Sequence, residues 1–553
     1  MTLTSSGVWD TLSAKLGALY RITTNVTHVA RVVRAEVDLP RITRRRRLIV
    51  LLICCMSLFI VGLDNTIVNI ALPTISKGLG ASVSGLQWIV DGYTMVLASL
   101  LMFAGAAADR FGRRRVFQIG LTIFTAGSAL CSIAPDLRWL IAFRIVQAVG
   151  GSMLNPVAMS IISSIYTTPA NRARAIGVWV SVFGVSMALG PVLGGILTAE
   201  VGWRSIFWVN IPVGLVTVVL AYLLVPETRA RTPRRPDPIG QLLVTTGLAS
   251  LVYAIIEGAR TSWRSPEIRA LFGVAGMAFV VFVVWELRRK DPLINPRFFR
   301  SPALTGAVLI AVTTFACLGG FLFLETIYLQ DVRGFSVLRA GLDMLPAAAA
   351  IAIFPPTATW LADKGGPRLP LTVGGLALAL SMAAMSQLSA ASWIGYLVLA
   401  GAAFGVGFAL VDGQISAEAI SAMPAAQSGL ASGIASTSRQ VGQALGVAVT
   451  GALVNADLRG PIGMAFVTAS RPAWLVLTGC GCVVLVLGLT ATALAHRPRQ
   501  TVGVPPQRDQ PTQPIPRVSV GPRSQPSEWV PRYLMNQPTP SERPEHHPKH
   551  GSR

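Results

Sequence analysis

The sequence predicts an all-α polytopic membrane protein, built as two six-helix halves flanking a central helix pair. Three observations predict it. Only 13% of the 553 residues are charged and 52% are hydrophobic, against about 25% charged in soluble domains. Fourteen apolar runs fill the region 48–495, and most approach the ~20 residues that cross ~30 Å of hydrocarbon. A dense charged turn, Asp109-Arg-Phe-Gly-Arg-Arg-Arg115, separates the second run from the third, and a fainter copy, Ala362-Asp-Lys-Gly-Gly-Pro-Arg368, recurs later. A charged turn repeated in one register points to two related halves.

The first six runs are expected over 48–71, 86–107, 116–134, 137–162, 173–197 and 206–224, giving an N-terminal half at 48–225. Two more, at 239–256 and 270–285, occupy a central stretch, 226–302. The last six, at 304–328, 340–362, 370–388, 394–420, 429–454 and 473–495, give a C-terminal half at 303–495. Residues 1–47 read as a basic cytoplasmic segment, with Val26, Val29, Val33 and Val37 at helical spacing. Residues 496–553 are rich in Pro, Arg, Gln and Ser and read as a disordered cytoplasmic tail. No cleavable signal peptide is expected, because the first apolar run is too long for one.

The net charge is +22. Its basic residues sit at helix ends and in the tails, where they favour anionic lipid and fix orientation, and no nucleic-acid module accompanies them. One set of loops holds about 17 Lys/Arg and the other about 10. The richer side, with Arg44 to Arg47, Arg288, Arg289 and Lys290, is expected in the cytoplasm, together with both termini. The excess of Arg over Lys hints at a bacterial source, so the location expected is a bacterial cytoplasmic membrane. All six cysteines lie inside apolar runs, with neither a disulfide framework nor metal-ligand spacing. No cofactor motif or ATP-binding loop is present.

The charges inside the runs include Asp64, Asp91, Arg144, Glu325, Asp343, Asp412, Glu418 and Arg439. Each costs about 2.5–3.5 kcal/mol to insert near a bilayer centre, so such residues usually face a bundle interior or a wet cavity. Asp91, Asp343 and Glu418 read equally well as interfacial groups. Asp64 is deep in the first run and Glu325 lies in the ninth. If the halves correspond, these two runs correspond as well. A carboxylate in a poorly solvated cavity can bind and release a proton near neutral pH, and a mobile guanidinium switches that affinity. Asp64, Arg144, Glu325 and Asp412 are therefore the expected proton-coupling residues.

Several strings together resemble the major facilitator superfamily, specifically its fourteen-helix drug:proton antiporters, over about residues 48–495. Gly105-Ala-Ala-Ala-Asp109-Arg110-Phe-Gly112-Arg113-Arg114 resembles the superfamily's loop signature, with Ala107 where Leu is usual. The resemblance implies that Gly105, Asp109, Arg110, Gly112 and Arg113 lock an inner gate. Arg144-Ile-Val-Gln147-Ala148 is similar to the helix-four motif, with Ala148 where Gly is usual. Gly177, Gly190-Pro191 and Gly194-Gly195 resemble the antiporter motif, with Ser186 replacing a Gly. Leu63 to Pro73, Trp203 to Pro212 and Ser438 to Gly442 resemble further strings of the fourteen-helix group. The resemblance implies the major facilitator fold and a proton-coupled exporter of drugs or other amphiphilic or cationic molecules, working by alternating access. A native metabolite or cell-envelope lipid is the alternative cargo, and a polytopic membrane enzyme a remote alternative. The partners expected are a small-molecule substrate, protons and membrane lipids, in a monomer without cofactor, metal, nucleic acid or catalytic residues.

Overall fold

A computed structural model describes residues 43–229, 236–289, 292–423, 428–458 and 463–495. The tail expected at 496–553, residues 1–42 of the basic segment, and Lys290 lie outside the described residues.

Helix α1, Arg44–Leu79, starts where the Thr43 hydroxyl accepts from the Arg46 amide and stops at Gly80, whose φ is 63°. It runs on past the expected end at residue 71 and carries Pro73 inside it. Then come α2 (Val83–Phe111), α3 (Arg113–Ser132), α4 (Leu137–Ile165) and α5 (Pro169–Glu200). The sixth run is a one-turn helix, α6 (Ser205–Trp208), leading into α7 (Asn210–Leu224). The central pair is α8 (Pro238–Arg260) and α9 (Pro266–Arg288). Their N-termini are set by Asp237 and Ser265, whose side chains accept from the Gly240 and Ile268 amides.

The later runs begin with α10 (Pro302–Ile327), which ends in a π turn at Tyr328–Val332. The run expected as one helix over 340–362 is three pieces, α11 (Val337–Asp343), α12 (Leu345–Ile353) and α13 (Pro355–Gly365). Pro346, and the pair Pro355-Pro356, lack the amides that a continuous ladder requires. The last four are α14 (Arg368–Met385), α15 (Ile394–Ser421), α16 (Ser428–Asp457) and α17 (Met464–Ala495). Among the described residues, eleven helices are long and apolar enough to cross a membrane, or twelve if Val337–Ile353 and Pro355–Gly365, bent by 45°, are one span. Helix α3 opens on three arginines, and α16 is dense in Gly, Ser and Gln; neither is among the eleven.

The pairings repeat. In the first set of helices α1 packs on α5, α4 on both α2 and α3, and α3 on α7. In the second set α10 packs on α16, α15 on both α12 and α14, and α14 on α17. The two sets meet along two seams, α2 against α16 and α5 against α11 and α12. The central pair leans on the first seam, through contacts of α8 with α2 and α16.

Candidate functional site

Asp64, midway along α1, is completely buried. Arg144 of α4, 2% exposed, forms an ion pair with it through Nη1 and Oδ2. Gln147, one turn further along α4, donates from Nε2 to Asp64 Oδ1 at 2.9 Å and to Ser128 Oγ at 2.7 Å. Asn210, the first residue of α7, donates to Asp64 Oδ1 at 3.1 Å. Arg144 also donates to Gln147 Oε1 at 2.7 Å and to the Ile89 carbonyl at 3.3 Å. Its guanidinium lies 4.1 Å from the Tyr93 ring centre. Both Asp64 oxygens thus accept from N–H donors supplied by two other helices, an arrangement suited to the ionised carboxylate. Removing one member of such a buried pair costs about 3–5 kcal/mol, because a bare charge stays behind.

Glu325, in α10, is 2% exposed and has no partner for Oε2 among the described residues. One turn before it, Phe321 stacks on Phe404 of α15 with ring centres 4.1 Å apart. Both rings line an apolar cavity between the two sets of helices, with Thr66 of α1 and Met187 and Pro191 of α5. The cavity measures ≈ 20 Å³, room for one water, so a drug-sized ligand requires a wider arrangement. Asp412 lies elsewhere. It accepts from Arg439 Nε at 2.9 Å, and Arg439 also reaches Ser416 Oγ at 2.9 Å. The four expected coupling residues therefore form a charged cluster (Asp64, Arg144), an unpaired acid (Glu325) and a separate ion pair (Asp412).

The charged turn is held by α4 and by the segment that follows α7. Arg113 donates to Asp109 Oδ1 at 3.0 Å and to the Ser160 carbonyl at 3.3 Å. Its backbone amide bonds the Thr228 carbonyl at 3.0 Å, and the Arg114 amide bonds Glu227 Oε1 at 3.1 Å. Gly112 has φ 113°, and a Cβ there would lie 2.6 Å from Glu227 Oε1, so both backbone and space call for glycine. Gly105 sits beside Pro156, and Arg110 lies near the Phe111 ring. The fainter copy breaks its helix the same way, at Gly366 with φ 66°.

On α5 the glycines serve two neighbours. A Cβ on Gly190 would lie 2.8 Å from Thr66 Cβ, and one on Gly194 2.8 Å from Ile67 Cγ1, both on α1. One on Gly195 would lie 3.1 Å from Leu338 Cα on α11. The Pro191 carbonyl is tight against Gly341 on α11. Ser186 rests against Gly62 of α1, so the small partner has changed helix.

Polar ties between the two sets gather at the end bearing Leu79. Lys77 pairs with Asp331 at 3.2 Å, Gln330 donates to the Ile70 carbonyl at 2.8 Å, and Gln87 to the Ala448 carbonyl at 2.8 Å.

The Major Facilitator Superfamily profile matches residues 54–447. The chain belongs to that superfamily. Its family and fold are those of transporters. It is 36% identical over 417 residues to the multidrug resistance protein Stp of Mycobacterium tuberculosis, covering 75% of this chain and 77% of that one. It is 35% identical over 406 residues to the tetracenomycin C resistance and export protein of Streptomyces glaucescens, covering 73% and 75%. Among solved structures, a peptide transporter in complex with sulfate superposes with TM-score 0.60 at 17% identity, over 81% of this chain and 94% of that one.

Gln147 and Asn210 stand inside the strings that carry the resemblance and Ser128 outside them, and the sequence alone assigns none of the three a role. The available signal was a side-chain amide deep in an apolar run, which needs partners to be inserted at low cost.

Proposed function

We propose that this protein exports drugs or other amphiphilic, cationic small molecules across the bacterial cytoplasmic membrane in exchange for protons. The observation that carries the reading is the buried Asp64–Arg144 pair with its two amide donors. A proton arriving at Asp64 cancels the charge that holds Arg144, and loss of the proton restores it. The site thereby has two discrete arrangements that differ by one proton. A proton falling through 100 mV supplies about 2.3 kcal/mol, enough for roughly a 50-fold gradient of a neutral solute; for a monocation exchanged one for one, the pH gradient supplies the drive. Glu325, unpaired beside the apolar cavity, is suited to a cationic ligand, with Phe321 and Phe404 as its apolar wall.

Fourteen spans follow if α3 and α16 cross with the twelve apolar ones, since each packs along spanning helices. Two halves, 48–225 and 303–495, then flank the central pair in 226–302. The arginine-rich end, with Arg44 to Arg47 and Arg113 to Arg115, faces the cytoplasm. The polar ties at the opposite end then close the outer side, while the charged turn at the inner end is bonded to α4 and to the segment that follows α7. This is the arrangement of an inward-facing transporter, with rocking about the cavity as its working motion. Gly105, Asp109, Arg110, Gly112 and Arg113 form the inner gate, and Gly190, Pro191, Gly194 and Gly195 keep α5 close to both α1 and α11. Asp412 with Arg439 couples α15 to α16. The working unit is a monomer in contact with lipid.

Ethidium efflux from energised cells tests the reading. Efflux above an empty-vector control, abolished by a protonophore, is the expected result. Efflux that persists at collapsed proton gradient would contradict coupling, and none from an inserted protein would point to a narrower native metabolite or envelope lipid.

A further inference from the structure

Asp91 is a buried acid outside the Asp64 cluster. It is completely buried in α2; among the described residues its Oδ2 has no hydrogen-bond partner and its Oδ1 meets the Thr94 hydroxyl at 3.5 Å. Gln87, Asp91, Met95 and Met102 follow one face of α2 at helical spacing. Gln87 donates to the Val447 and Ala448 carbonyls of α16. Met95 packs with Ala448 of α16 and with Leu248, Val252 and Ile256 of α8. Met102 is the nearest neighbour of Gly433, on α16. Asp91 thus faces the seam where one set of helices meets the other, and α8 covers that seam.

The charges on the surrounding helices are engaged elsewhere. Arg144 on α4 holds Asp64, Glu257 on α8 holds Trp88 and Arg260, and Arg439 on α16 holds Asp412. At the far end of α3, Arg113 holds Asp109 and Arg115 lies near Glu227. A bare carboxylate in that place costs far more than binding a proton. A seam between moving halves is also where rocking changes the access of water. We propose that Asp91 is a second proton-carrying residue, loaded while the α2–α16 seam is shut and discharged to water when it parts. The step is a simple transfer: the carboxyl O–H breaks and the proton passes to water, leaving the carboxylate. Asp64 and Asp91 together then move two protons per transported monocation, one net charge per cycle. This inference rests on the antiport reading above.

The test is ethidium transport by the purified full chain in proteoliposomes, under separately imposed pH gradients and potassium diffusion potentials. In the wild type the steady-state ethidium gradient is expected to change about tenfold per 60 mV of potential. Asp91→Asn is expected to lose that response while remaining driven by the pH gradient, and Asp91→Glu to keep both. An unchanged potential response in Asp91→Asn, or electroneutral exchange in the wild type, overturns the inference and leaves antiport standing. If no pH gradient drives the wild type, the antiport reading fails first and this inference with it. Weaker ethidium binding by Asp91→Asn in proportion to lost transport makes Asp91 a ligand anchor, which also overturns it. Should Asp91→Asn not fold, labelling of the wild type with a hydrophobic carbodiimide decides: an adduct on Asp91 that grows as pH falls supports a carried proton, and its absence contradicts one.

Discussion

At the scale of single residues, the account turns on Asp64 and the three side chains that bond it. Asp64→Asn keeps the shape and leaves Arg144 without its counter-charge. It is expected to abolish protonophore-sensitive efflux at unchanged membrane abundance, and to lower stability by about 3–5 kcal/mol. Efflux assays beside quantitative immunoblots, with thermal unfolding of the purified protein, check both. Asn210→Ala removes one amide donor and is expected to cost about 1–2 kcal/mol and to slow turnover without abolishing it. Asp64 and Arg144 were legible because a charge in an apolar run is rare and has few explanations. Ser128, Gln147 and Asn210 were not, since such residues also occur in spans for packing, and only the fold brings three helices around one carboxylate. The pairing of Asp412 with Arg439 was not legible, because Arg439 sits on the following helix and a single run says nothing of its neighbour.

At the scale of elements, the closest approaches explain the small residues. Gly190→Val puts a branched side chain against Thr66 and Ile67. It is expected to force α5 away from α1 and to cost a few kcal/mol, read as a lower unfolding temperature and efflux near background. Gly112→Ala meets both an unfavourable φ of 113° and the Glu227 carboxylate. It is expected to cost at least about 1–2 kcal/mol and to slow transport severalfold, measured as initial efflux rate at saturating drug. Helix existence was legible from apolar length alone. Helix ends were not: α1 continues through Pro73, which removes one i→i−4 bond without ending the helix. The run at 340–362 breaks into three, because proline removes amides that hydropathy does not count.

At the scale of the whole molecule, the repeated pairings and the uneven ties between the two sets correspond, in the proposed rocking motion, to one of its ends. Lys77 with Asp331 is an exposed pair, its lysine 72% exposed, so it contributes little to stability and acts as a bias between states. Lys77→Glu is expected to favour the outward-open form modestly, seen as faster labelling of a cysteine introduced at the cavity from outside. Adding Asp331→Lys is expected to restore the original rate. The repeated pairings had a sequence counterpart in the two charged turns and in Asp64 and Glu325, on α1 and α10. The covering of one seam by α8 was not, because helix packing partners leave no period in a single sequence.

The central claim is that substrate and proton compete through the Asp64–Arg144 pair. Its most direct test is proton release by the purified protein in weakly buffered detergent solution, followed with a pH dye as drug is added. The account predicts release on drug binding by the wild type and a clear loss of that signal in Asp64→Asn at equal drug occupancy. Equal release by both proteins, or none by the wild type, would contradict it.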